Sequence, residues 1–110
     1  MSWIRLTSSH QLEEIRQLSE SVPQVIFKHS TRCSISSMVQ NRLERSGLPL
    51  GIQFYHLDLL AYRNLSDQIA ADFKVDHQSP QVLLIRNGEC VYEESHKGIS
   101  MNELVEQVAR

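Results

Sequence analysis

The chain has 110 residues, 41% hydrophobic and 22% charged, with a net charge of −2. That length can bury a core without disulfides or metals, so one domain spanning residues 1–110 is expected. The 11 basic residues are scattered and stand against 13 acidic ones, which argues against a nucleic-acid partner.

The first ten residues, MSWIRLTSSH, lack both an uninterrupted apolar run and a small-residue cleavage site. No stretch approaches the ~20 apolar residues of a membrane span, so no membrane partner is expected and the cytoplasm is the expected compartment. Cys33 and Cys90 are the two cysteines, too few for a disulfide scaffold, and a reducing cytosol keeps such thiols reduced. The Cys/His spacing of a structural zinc site is absent, so no metal is expected.

In chain order, Trp3 to Leu6 reads as a short first strand. Ser8 with Gln11 has the spacing of a capping box, and Leu12, Ile15 and Leu18 follow at helical intervals, predicting a helix over about 8–20. Gln24 to His29 contains Val25, Ile26 and Phe27, a short β-branched and aromatic run that predicts a central strand. Ile35, Met38, Val39 and Leu43 then share one helical face, and Gly47 is placed to stop that helix.

Ile52 to Leu57 predicts another strand, and Leu65, Ile69 and Phe73 mark a third helix. Gln81 to Arg86 is a strand, Asn87-Gly88 a type I′ hairpin turn, and Cys90 to Glu93 the returning strand. Ser100 and Glu103 form a second capping box, stapled by Ile99 and Leu104, with Leu104, Val105 and Val108 on the apolar face of a last helix. The order is β-α-β-α-β-α-β-β-α. Its crossovers imply parallel pairing and its hairpin an antiparallel pair. An α/β fold follows, a mixed central sheet flanked by helices on both faces, which is the thioredoxin-like arrangement.

The stretch KHSTRCSISS joins the central strand to the second helix and puts Cys33 at their junction. A helix N-terminus presents unpaired N–H groups and about half a positive charge. A thiol there is expected to ionise more readily than a free cysteine at ~8.5. Lys28, His29 and Arg32 are candidates to add positive potential. The plainer alternative is a small buried hydrophobe.

Ser36 stands where a dithiol site would carry its second sulfur. It can offer Cys33 a hydrogen bond from one helical turn away but cannot form S–S. It can equally be a helix-start residue that satisfies an N–H. Cys90 is not expected to replace the missing sulfur. The hairpin pairs it with Ile85, ~16 Å along the strand from Pro80, whereas a disulfide needs Cα atoms within about 7 Å.

Ser79-Pro80 precedes the fourth strand. In a thioredoxin-like sheet this is the place of a cis-proline whose neighbouring backbone pairs with bound substrate. An ordinary proline at the start of a strand is the alternative. His96 lies between the last strand and last helix, near the Pro80 end of the sheet, either as an electrostatic contributor or as a solvated loop residue.

With these residues in view, the chain resembles the monothiol bacilliredoxins, the YtxJ-type thioredoxin-fold family with a Thr-Cys-Pro-Ile-Ser core. The matching segments are Thr31-Arg32-Cys33-Ser34-Ile35-Ser36, the Lys28-His29-Ser30 lead-in, Leu57-Asp58-Leu59, Ser79-Pro80-Gln81, Asn87-Gly88 and Ser95-His96. The resemblance implies removal of bacillithiol, a low-molecular-weight thiol, from protein mixed disulfides. Cys33 would be the nucleophile, Ser36 would complete the catalytic pair, and Arg32, Ser34, Ser79 and Pro80 would flank the substrate.

Ser34 is a departure, because the family carries proline there. Serine adds a donor and removes a fixed φ at the first helical turn. No bound cofactor is expected. Bacillithiol would be a co-substrate, S-thiolated proteins and a regenerating reductase the partners, and the protein a monomer. Two alternatives are an iron–sulfur-binding dimer ligated through Cys33 and a thioredoxin-fold adaptor without chemistry.

Overall fold

The structure is a computed structural model that describes residues 3–110. Its elements are β1 (Ile4–Arg5), α1 (Ser9–Leu18), β2 (Gln24–His29), α2 (Ser34–Ser46), β3 (Gln53–Asp58), α3 (Arg63–Phe73), β4 (Gln81–Arg86), β5 (Glu89–Ser95), a single 3-10 turn (His96–Gly98) and α4 (Met101–Val108). The five strands form one mixed sheet in the order β1-β3-β2-β4-β5. β1 and β2 run parallel to β3, while β4 runs antiparallel to both β2 and β5. No helix among the described residues is long and apolar enough to cross a membrane.

All six residues of β2 are buried because the strand is central and covered on both faces. Alternation then sorts its side chains. Ile26 joins Leu12, Ile15, Leu57, Leu65 and Ile69 in a cluster under α1 and α3. Val25 and Phe27 join Val39, Leu43, Phe54, Met101 and Leu104 under α2 and α4. Each fully buried aliphatic or aromatic side chain stabilises the fold by about 1.5–3 kcal/mol relative to exposure. The same alternation sends the last two residues of β2 to opposite faces, Lys28 to the α3 side and His29 to the α2 side.

Caps and turns close the elements. In α1, Gln11 Oε1 accepts the Ser8 N–H at 3.1 Å and the Thr7 N–H at 2.7 Å. In α4, Ser100 Oγ accepts the Glu103 N–H at 3.1 Å, with Ile99 and Leu104 both buried. Asn87 and Gly88 have φ of 53° and 77°, as a type I′ turn requires. Buried Ser19 anchors that turn, its hydroxyl accepting the Gly88 N–H and its carbonyl the Asn87 N–H.

Three apolar residues lie differently from their helical spacing. Leu18, Met38 and Val105 are exposed. In α2 the inward stripe is Ser36, Val39 and Leu43, so a polar residue occupies the position nearest the helix start. Element boundaries differ from the sequence reading by one or two residues, as at α1, which ends at Leu18, and at β5, which extends to Ser95.

Candidate functional site

β2 ends at His29, and the chain turns through Ser30–Arg32 before α2 begins. Cys33 is the N-cap of α2, with extended backbone (φ −105°, ψ 117°), and its carbonyl accepts the first helical N–H, from Ser37 at 3.1 Å. Its own N–H bonds Ser30 O at 3.2 Å. The thiol is free and half-buried, flanked by exposed Arg32 and Ser34.

Pro80 reaches the same end of the sheet through register. Lys28 pairs with Gln81, so the next step along the antiparallel ladder sets Pro80 beside the chain leaving β2. The Ser79–Pro80 peptide is cis and Pro80 is buried. The Ser79 hydroxyl is buried without a hydrogen-bond partner. Exposed His96 closes this end, donating its N–H to Pro80 O at 2.9 Å. The loop holding His96 is tied to α2 by Arg42, whose guanidinium bonds the carbonyls of Lys97 and Ile99.

Ser36 sits at the third helical position, fully buried. Its Oγ accepts the Ser30 N–H at 3.1 Å and lies 2.6 Å from His29 Nδ1. The hydroxyl therefore fastens the turn before Cys33 to the helix after it.

Behind this pair runs a polar chain that the sequence reading missed. The His29 and His56 rings lie 5.1 Å apart. His56 Nε2 bonds Gln40 Oε1 at 2.9 Å, Gln40 Nε2 donates to Glu44 Oε2 at 3.3 Å, and Trp3 Nε1 donates to the same oxygen at 2.8 Å. Donor direction fixes one tautomer. The Glu44 carboxylate takes the Gln40 NH₂, so the Gln40 carbonyl faces His56, whose Nε2 must carry a proton. Burial lowers the pKa of both imidazoles, against the opposing pull of Asp58 and Glu44. The available signal was the spacing Ser36, Gln40, Glu44, a polar stripe on one face of α2.

Lys28 lies on the other face, fully buried. Its ammonium bonds Ser66 O at 3.2 Å and His77 Nδ1 at 3.3 Å. Burial brings it down to about 8, partly offset by Asp67. Its charge is thus committed to α3 and to the loop before Pro80, whereas the sequence reading proposed it as a source of potential at Cys33. Gln81, beside it in register, donates to Asp76 O at 3.0 Å and grips the same loop.

Cys90 pairs with Ile85, packs against the α1/α3 cluster and donates to Tyr92 O at 3.3 Å. Burial pushes its thiol up to about 11. Both cysteines are free.

The mixed sheet, with a helix after its central strand and a cis-proline before its antiparallel strand, defines the thioredoxin-like fold class. Solved thioredoxins share that fold. The protein from Malassezia sympodialis is 16% identical with a TM-score of 0.74, covering 98% of this chain and 90% of that one. The thioredoxin of Trypanosoma brucei brucei is 16% identical with a TM-score of 0.73, covering 98% and 88%. A third structure, a thioredoxin-fold protein assigned provisionally as an oxidoreductase, is 31% identical with a TM-score of 0.79, covering 96% and 92%.

Within that class, residues 4–104 match the model of the monothiol bacilliredoxin family, described as monothiol bacilliredoxin BrxC. The chain belongs to that family.

Proposed function

We propose that the protein is a monothiol thiol–disulfide oxidoreductase that removes a low-molecular-weight thiol, bacillithiol, from protein mixed disulfides. The observation that carries this reading is a half-buried, free Cys33 at the N-cap of α2, with a hydroxyl and not a sulfur one turn later. The N-terminal N–H groups of α2 favour a negative sulfur there, and only a thiolate attacks a disulfide.

In the first step the Cys33 thiolate attacks the small-thiol sulfur of the mixed disulfide. The old S–S bond breaks, the target protein leaves as its thiolate, and Cys33 holds the small thiol as a new disulfide. Ser36 cannot displace it, and Cys90 is held on β5 with its sulfur protonated. A second small thiol, or a partner reductase, must therefore attack the Cys33 sulfur to restore the free enzyme. Attack in line with the S–S bond requires an open approach. Ser79 and Pro80 supply one wall, while Arg32, Ser34 and His96 border it.

The co-substrate is bacillithiol, no bound cofactor takes part, and S-thiolated cytoplasmic proteins are the targets of a monomeric enzyme. The test uses a bacillithiolated model protein incubated with wild-type chain, with Cys33→Ser and with Cys33→Ala. Wild type is expected to release the target thiol and to carry the bacillithiol mass on Cys33. Release at the wild-type rate by Cys33→Ala would end the proposal. Turnover supported by another small thiol, with bacillithiol inert, would reassign the co-substrate.

A further inference from the structure

The Ser36 hydroxyl has one proton and two lone pairs to place. One lone pair takes the Ser30 N–H at 3.1 Å. Ser36 is fully buried, so its own proton needs an acceptor, and among the described residues the one acceptor bonded to the hydroxyl is His29 Nδ1, at 2.6 Å. A protonated ring would reverse the bond, but His29 is buried against Phe27 and His56 with no carboxylate among the described residues bonded to it, and burial disfavours its charge. The hydroxyl is therefore the donor and Nδ1 the acceptor.

We propose that His29 is a positioning residue that holds the Ser36 proton away from Cys33. With its proton on His29, Ser36 presents only a lone pair to its surroundings. That lone pair can accept an S–H but cannot stabilise a sulfur anion. The serine at the second position of the motif is thus an anchor for the Ser30–Cys33 turn, and the helix end alone is left to support the thiolate. Removing the ring nitrogen frees the Ser36 O–H to turn towards Cys33, one helical turn away.

The inference rests on Cys33 being the reactive sulfur. Its readouts are the thiol and the ring, not turnover, so it fails separately from the reductase reading. In His29→Phe, which keeps an aromatic ring beside Phe27, Cys33 alkylation by iodoacetamide at mildly acidic pH should rise about threefold. A hydrogen bond to a charged group raises the thiolate fraction roughly tenfold, and the lower basicity of the sulfur cuts its nucleophilicity about threefold, which leaves a net gain of about threefold.

Adding Ser36→Ala to His29→Phe should remove the gain. An unchanged rate in His29→Phe, or a gain that survives Ser36→Ala, overturns the proposal. Nitrogen NMR of the wild-type ring tests the same point without a substitution. An unprotonated Nδ1 on neutral His29 is expected, and a protonated Nδ1 overturns it.

Discussion

The two faces of the sheet bury polar groups in opposite ways. On the α2 side, Ser36, His29, His56, Gln40, Glu44 and Trp3 form two hydrogen-bonded groups joined by the contact of the imidazole rings. On the α1/α3 side, Lys28 and Cys90 are separate titratable groups, each with one or two weak neutral partners and a pKa displaced by burial. The proposed chemistry sits at the edge of the first face. A satisfied network fixes the geometry of a turn, whereas an isolated buried charge only costs stability.

The largest contrast between the faces is thiol reactivity. With Cys90 at about 11, roughly one in ten thousand of its thiols is ionised at pH 7. Cys33 is therefore expected to be alkylated at least about a hundredfold faster, as read by peptide mass spectrometry of briefly labelled protein. Comparable labelling of the two would erase the distinction. In the same sense Cys90→Ser should keep turnover within about twofold, while Cys33→Ser removes it.

A smaller effect comes from pH and confines itself to the α1/α3 face. The folded pKa of Lys28 falls from 10.5 to about 8. Between those values the unfolded chain holds one more proton, so stability rises with pH across that window, by an amount on the order of 3 kcal/mol. Cys90 runs the other way. Its folded pKa climbs from 9.0 to about 11. The folded chain then holds the extra proton between those values, so stability falls there by on the order of 2 kcal/mol after allowance for partial exposure.

The two slopes oppose each other in the wild type. Urea titrations across that range should show stability declining with pH in Lys28→Met and rising in Cys90→Ala. Near neutral pH, Lys28→Met should be more stable than wild type by about 1–3 kcal/mol. Parallel curves for both variants would mean that neither group is displaced as described.

Element order and type were legible because the strongest signals are local. The β-branched run at Val25–Phe27, the Asn87-Gly88 turn and the Ser100/Glu103 box each specify their own backbone. The same holds for Cys33, placed by the junction of two elements, and for the register of Cys90 with Ile85, fixed by a two-residue loop. What stayed hidden is tertiary.

Lys28 and His29 look alike as a basic pair, yet pleat alternation sends them to opposite faces, and only packing against α3 shows that Lys28 is spent on Ser66 and His77. Met38 fits the apolar stripe of α2 by spacing. The inward position went to Ser36 because the turn before Cys33 has an N–H to satisfy at Ser30. The His56–Gln40 contact joins residues from different elements and had no one-dimensional signature.

The smallest expected effect separates what Cys33 contributes to chemistry from what it contributes to folding. Cys33 caps α2 with an extended backbone but makes no side-chain hydrogen bond to the helix N–H groups. Serine is among the preferred residues at that position, because its oxygen accepts the N–H of the second or third helical residue. Cys33→Ser should therefore raise stability by about 0.5–1 kcal/mol while removing turnover.

Cys90→Ala should do the reverse at neutral pH, costing about 1 kcal/mol from the α1/α3 cluster and leaving turnover in place. Thermal melts of the two variants beside wild type give the comparison directly, with Cys33→Ser melting higher and Cys90→Ala lower. A lower melting point for Cys33→Ser would mean that the sulfur packs against its surroundings as a structural group, which is incompatible with an open, attacking thiolate at that position.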